Sequence, residues 1–414
     1  MSANDQSQIQ RREFLQAGAV ASAATLAMGS GSNALAQEPK ADPVPILPTR
    51  KLGKTGVDVT ILNHGTWQAP SGTLERLVRT SYASGIRYFD TAKSYRTEPA
   101  LAKWFQAMPE VRKNIFLVTK DSPRTPKEMV KMLDERLASL QTDHVDLFFI
   151  HALGDHHETD VAVEMVKSKE LKETIEAIKK SGKAKFVGFS THHKNKAPII
   201  QAAAEANLVD AIMVAYTPWL DKDAPINRAL DAAYAANIGL ISMKQIAGSD
   251  AQKLQFLGKV SEHVPGLKER GLSPYQGLLQ AIWSDERIAT CCVSMKNLDQ
   301  ISENTKAARE FTPLKAAEME GLKKAFLASQ PTMCANCDGS CSRAAGTDAD
   351  LGNLTRFLTY HEQHGHRSDA RRQYSELSEA ARDWKGADLA AAQAACHSNL
   401  NFSELLPKAD DLLA

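Results

Sequence analysis

Between Val59 and about Ala308 the chain alternates short apolar runs with amphipathic stretches of helical period, and this alternation restricts the fold more than any other feature. The runs are Val59–Asn63, Ile86–Phe89, Ile115–Thr119, Val145–Ile150, Phe186–Phe189, Ala211–Val214, Leu240–Met243 and Ile288–Val293. Short, mostly apolar strands separated by helices belong in a parallel sheet covered on both faces. Helix-like segments such as Lys127–Leu140, Glu170–Lys180 and Ile226–Ala236 lie between them. Ser181-Gly182-Lys183 and Asn237-Ile238-Gly239 place glycine where a helix stop needs it. Eight strand–helix units in roughly 250 residues predict a closed (α/β)8 TIM barrel. An open doubly wound sheet is the alternative, but it usually carries a Gly-rich phosphate turn after its first strand. Here the first run leads into Asn63-His64-Gly65-Thr66-Trp67, with no G-x-G-x-x-G. The chain of 414 residues, 43% hydrophobic, is long enough for one large α/β domain and a smaller piece. Its 50 basic and 49 acidic residues leave a formal charge of +1, so no field draws nucleic acid or another polyanion.

Polar residues stand where three of these runs end. Asp90 closes Ile86–Phe89, with Tyr95 five residues on; Lys120 closes Ile115–Thr119; His151 closes Val145–Ile150. In a parallel barrel these side chains gather at one mouth, where such folds place their chemistry. A carbonyl reductase must let hydride pass from a reduced nicotinamide to the carbonyl carbon and donate a proton to the developing alkoxide. Tyrosine can give that proton, but its reference pKa of about 10 makes it sluggish at neutral pH. A neighbouring ammonium is expected to lower that pKa. A carboxylate would fix the ammonium, and an imidazole would orient the carbonyl oxygen. Tyr95, Lys120, Asp90 and His151 supply those roles in that order.

Gly85-Ile86-Arg87-Tyr88-Phe89-Asp90-Thr91-Ala92-Lys93-Ser94-Tyr95 resembles the aldo/keto reductase signature. So do Leu52-Gly53-Lys54-Thr55-Gly56, Val118-Thr119-Lys120 and Phe149-Ile150-His151. The resemblance runs from about residue 50 to 325. It implies the barrel, a nicotinamide cofactor, the tetrad named above and a small-molecule carbonyl or alcohol substrate.

The cofactor segments depart from the family pattern. Lys185–His192 is similar to the segment that holds the nicotinamide amide; Ser190 keeps its type, and Thr191 replaces the usual Asn. The family's next amide-binding Gln falls at Met213, whose thioether is a poor acceptor and no donor. The ring that often stacks on the nicotinamide corresponds to about Met243, which packs through its polarizable sulfur. Lys244 and the turn at Gly248 are expected to meet the pyrophosphate. Gln300 stands where an Arg often grips a 2′-phosphate, so the choice between NADP(H) and NAD(H) stays open, with Lys296 as a compensating cation. Glu303 and Asn304 match the adenine-side pair.

The N-terminal 36 residues read as a signal peptide, with a polar start, an Ala- and Gly-rich middle from Ala17 and Ala34-Leu35-Ala36 as the cleavage site. Arg11-Arg12 before Phe14-Leu15 resembles a twin-arginine signal. That implies export of the folded protein by the twin-arginine machinery to the periplasm, with the mature chain starting near Gln37. The middle is poor in Leu and Ile, so no permanent membrane anchor is expected. Residues 37–50 contain four prolines and read as an extended linker. Residues 51–325 form the expected barrel and 326–414 a mainly helical extension, with Asn353–Tyr360 as one helix.

Of the six cysteines, Cys291-Cys292 falls in a barrel strand and reads as core packing. Cys334-Ala-Asn-Cys337-Asp-Gly-Ser-Cys341 has C-x2-C-x3-C spacing, and Cys396 stands alone later. The segment resembles that of exported barrel reductases with a C-terminal iron–sulfur region. Three readings stay open: one [4Fe–4S] cluster on Cys334, Cys337, Cys341 and Cys396, disulfides formed in an oxidising compartment, or a zinc or degenerate site. The cluster reading brings a redox partner with it. His156-His157 and His192-His193 read as exposed loop pairs near the mouth, and His361, His364 and His366 as a solvated helix end. Two functions compete. One is an exported oxidoreductase with Tyr95 as acid–base. The other is a periplasmic electron-transfer or binding protein whose barrel has lost its nicotinamide.

Overall fold

Eight parallel strands close on themselves in the computed structural model, each bonded to the next along the chain and the last to the first. The structure describes residues 45–67, 69, 72–155, 157–218, 223–245, 259–260, 263–328, 334, 339–362 and 366–414. The barrel strands are β3 (Leu62–Gly65), β4 (Tyr88–Asp90), β5 (Phe116–Asp121), β6 (Val145–Ile150), β7 (Ala184–Thr191), β8 (Ala211–Ala215), β9 (Gly239–Met243) and β10 (Ile288–Ser294). A short antiparallel hairpin, β1 (Thr49–Lys51) with β2 (Asp58–Thr60), precedes them.

The eight expected strands are all present, with one difference at the start. The run Val59–Asn63 serves two elements, because the chain bends at Ile61. The Ile61 N–H donates to the Pro48 carbonyl at 2.9 Å, and its own carbonyl accepts from Trp283 Nε1 at 2.7 Å. The folded region also begins earlier than the expected linker boundary. Leu47 is buried and donates its N–H to the Gly85 carbonyl at 3.0 Å, and β1 already begins at Thr49.

Period-two alternation splits each strand between two cores. Tyr88, Val118, Phe149, Met213 and Ile241 fill the barrel interior, whereas Phe89, Leu117, Phe148, Ile212 and Leu240 pack outward under the helices. The helix Glu128–Leu140 shows the complementary pattern: Met129, Leu133, Leu137 and Leu140 form one buried stripe. Gly188 is required on β7, since a Cβ there would meet the Ala211 carbonyl oxygen at 2.0 Å.

After the barrel come helices at Ala316–Ala328, Ser340–Ala344, Leu351–Glu362, Arg367–Ser375, Glu379–Arg382, Leu389–Ala395 and Phe402–Leu413. From Cys341 onward they share a second core of Leu354, Phe357, Leu358, Tyr374, Phe402 and Leu406. Trp67, from the loop after β3, packs against this core and ties the extension to the barrel mouth. Among the described residues no helix is long and apolar enough to cross a membrane.

Candidate active site

Strand ends bring the four residues together. Asp90 is the last residue of β4, Tyr95 ends the single 3-10 turn Lys93–Tyr95 that follows, Lys120 lies at the end of β5, and His151 follows β6 directly. The His151 N–H donates to the Asp121 carbonyl at 2.7 Å, which extends the β5–β6 ladder by one residue. Lys120 Nζ donates to Asp90 Oδ1 at 2.5 Å and to the Thr91 carbonyl at 2.9 Å. The same ammonium lies 5.0 Å from the centre of the Tyr95 ring. Tyr95 and His151 meet edge to face, 5.6 Å between ring centres at 86°. Asp90 and Lys120 are buried, while Tyr95 and His151 reach the cleft.

The electrostatics differ from the expectation in one respect. Burial raises the Asp90 carboxyl above its ordinary range against the pull of Lys120. Tyr95 is raised well above the usual phenol value, by burial first and then by the negative charge of Asp90. The expected lowering by the ammonium is absent, because the Lys120 charge is spent on Asp90. The phenol is therefore held as a proton donor.

Cys292 belongs to this site, in contrast to the core packing expected of it. Cys291 does pack outward in the core, but alternation turns Cys292 into the cleft. Its thiol lies beside the Asp90 carboxylate and is pushed well above its usual range by burial. Gly65 makes room for it, since a Cβ there would come within 2.8 Å of Cys292 Sγ. The signal in the sequence was the parity of the strand: of two adjacent cysteines, one had to face inward.

A cleft of about 1750 Å³ runs from the tetrad across the ends of β7 to β10. Ser190, Met213, Met243, Lys244, Lys296, Glu303 and Asn304 line it. Thr191 is not among the lining residues, in contrast to its expected role. It points away from Ser190 on the alternating strand, and its hydroxyl donates to the Leu153 carbonyl at 2.8 Å. Ser190 Oγ accepts the Ala152 N–H at 3.0 Å. Gln300 Oε1 accepts the Lys296 N–H at 2.7 Å, and the Gln300 N–H donates at 2.9 Å to Asn297 Oδ1, the side chain that caps the helix Leu298–Arg309. Glu303 accepts from the Ser273 hydroxyl.

Lys244 is not a free cation at the cleft floor. Its φ is +57°, and Nζ donates to the Tyr360 hydroxyl at 2.8 Å and sits 5.3 Å from the Trp67 ring centre. Burial, with the nearby Arg356 guanidinium, pushes its ammonium well below the usual lysine range. Tyr360 packs on Trp67 with ring centres 5.1 Å apart, so the helix Leu351–Glu362 covers this end of the mouth. Gly248, the other expected pyrophosphate contact, lies outside the described residues.

The histidines differ from their expected exposure. His192 and His193 are largely buried; His192 Nδ1 lies 2.7 Å from Asp155 Oδ2 and 2.9 Å from an Arg356 nitrogen. His361 is buried as well, in the helix core rather than at a solvated end. His156 and His364 lie outside the described residues. Cys334 and Cys341 line one small cavity with His192 and Arg356. Cys396 is not among its lining residues, and Cys337 lies outside the described residues. Among the described residues no group of three His, Cys, Asp or Glu side chains is placed to hold a metal ion.

Comparison with known proteins agrees with this fold. The family model described as "Aldo/keto reductase family" matches residues 61–326. The chain is 27% identical over 192 residues to glycerol 2-dehydrogenase (NADP(+)) of Saccharomyces cerevisiae, covering 42% of this chain and 62% of that protein. It is 27% identical to the uncharacterized oxidoreductase YrpG of Bacillus subtilis, covering 48% of this chain and 66% of that one. It thus spans just under two thirds of each of those relatives. It is 22% identical over 294 residues to human aldo-keto reductase family 1 member A1, covering 65% and 88% of the two chains. Among solved structures, aldo-keto reductase AKR11C1 from Bacillus halodurans in its holo form superposes with a TM-score of 0.54 at 20% identity, covering 67% of this chain and 96% of that one. With a family model matched across the whole barrel, and that barrel closed as the family's fold requires, the chain belongs to the aldo/keto reductase family.

Proposed function

We propose that this protein is an exported carbonyl reductase or alcohol dehydrogenase that uses NADP(H) or NAD(H), with Tyr95 as the acid–base residue. One observation carries the reading: the buried Asp90–Lys120 pair lies under the Tyr95 ring, with His151 edge-on beside it. A buried ion pair is costly to desolvate and adds little stability over an apolar pair of the same shape. A proton-handling site accounts for its presence. A bound nicotinamide would supply the hydride. Ser190, Met243, Lys296, Glu303 and Asn304 fit its placement, since they line a cleft continuous with the tetrad. His151 would orient the carbonyl oxygen, and Tyr95, held protonated by burial and by Asp90, would donate to the alkoxide. The Arg11-Arg12 segment supports export to the periplasm by the twin-arginine machinery.

Cys337, one of the four thiols a [4Fe–4S] cluster would need, lies outside the described residues, and no step of this chemistry runs through such a cluster. A second reading, a periplasmic binding or electron-transfer protein on a barrel without nicotinamide, is favoured by Met213, by the outward turn of Thr191 and by the sequestered Lys244. Mass spectrometry of small molecules released from protein purified from periplasm separates the two. Co-purified or titratable nicotinamide dinucleotide supports the reductase. Neither bound nor bindable nicotinamide rejects it.

A further inference from the structure

Several charges around the cleft are paired. Lys120 pairs with Asp90, Lys93 lies 3.4 Å from Asp121, and Arg372 bonds Asp369 and Glu376. Arg96 and Arg124 also line the cleft, and neither guanidinium has a hydrogen bond or ion pair among the described residues. The two sit on neighbouring loops. Arg96 directly follows Tyr95 after β4, and Arg124 follows Lys120 after β5. The candidate nicotinamide residues lie on the β7–β10 side, so the arginines flank the part of the mouth left for a substrate.

Arg96 carries a second mark. Its φ is +58°, in the left-handed region where glycine or asparagine is the ordinary choice. A long side chain at such a position stores backbone strain, and strain of this kind concentrates at functional sites. Guanidinium is suited to planar, bidentate contact with a carboxylate or phosphate, and such charge-assisted bonds are about twice as strong as neutral ones.

We infer that the cleft selects carbonyl or alcohol substrates bearing an anionic group, a carboxylate or phosphate, which Arg96 and Arg124 hold while the reacting carbon lies against Tyr95 and His151. This rests on the proposed reductase reading for the reaction, but the binding preference is measurable without turnover.

The test is equilibrium binding of 4-carboxybenzaldehyde and benzaldehyde to the full chain, without and with oxidised nicotinamide dinucleotide, which cannot reduce either aldehyde. The protein should prefer the carboxylate by about tenfold or more, and the preference should shrink as ionic strength rises. In R96G/R124Q the two affinities should converge to within about twofold. Glycine suits the backbone at position 96, so loss of preference in R96G would not reflect misfolding. Equal affinity of the wild-type protein for both probes, or a preference that survives in R96G/R124Q, overturns the inference. Consumption of reduced nicotinamide with either aldehyde is followed separately; its absence counts against the reductase reading and leaves the binding result standing on its own.

Discussion

Lys120 Nζ lies 2.5 Å from Asp90 Oδ1, and both side chains are almost wholly buried at the barrel mouth. Removing only the ammonium would leave a carboxylate in a dry site. Lys120→Met is expected to destabilise the fold by about 3–5 kcal/mol. The double variant D90N/K120M should recover much of that loss, because no uncompensated charge remains. Both should lack turnover. Urea unfolding of the three proteins checks the order of stability.

Tyr95 offers the opposite combination. Its hydroxyl has no hydrogen bond among the described residues, so Tyr95→Phe should change stability by well under about 1 kcal/mol. Turnover should fall by roughly 10²–10⁴, the usual worth of a positioned proton donor. A variant as active as wild type would remove Tyr95 from the mechanism.

His64 on β3 supplies a pH dependence of stability. It is fully buried, stacked on Phe89 with Nδ1 2.7 Å from Ser81 Oγ, and burial pulls its pKa from 6.5 to about 4. Between those values the unfolded chain takes up a proton that the folded chain refuses. This contribution is intact above pH 6.5 and drains away as the pH falls through about 4, by about 3 kcal/mol in all. His64→Asn should flatten the stability–pH curve across that window. Parallel curves for the two proteins would contradict the assignment.

Gly188 tests the close approach of β7 to β8. A Cβ at this position would fall 2.0 Å from the Ala211 carbonyl oxygen and 2.6 Å from Phe149 Cε1. Backbone cannot give way as a side chain does, so Gly188→Ala should cost about 3 kcal/mol or more. A variant with an unchanged urea midpoint would mean that the two strands sit further apart.

The barrel was legible because its strands are apolar runs of fixed length, and Asp90, Lys120 and His151 are the polar residues that stop them. Their convergence follows from parallel strands sharing one mouth. What stayed hidden depended on which way a side chain turns. Cys292 and Thr191 sit next to residues of the opposite fate, and one step of strand register exchanges cleft for core. Lys244 stayed hidden for another reason: the residue that engages it, Tyr360, is more than a hundred positions away in the extension. The rise in the Tyr95 pKa likewise needed the distance between Lys120 and Asp90, which residue types alone do not supply.

The most direct test of the account is a single-turnover experiment. Purified protein is mixed with NADPH or NADH and a small aldehyde, and loss of the reduced nicotinamide is followed together with alcohol formation. The account predicts stoichiometric conversion by the wild-type protein. It predicts that Tyr95→Phe still binds the nicotinamide but reacts roughly 10²–10⁴ more slowly. Failure of the wild-type protein to bind or oxidise either reduced nicotinamide would contradict it.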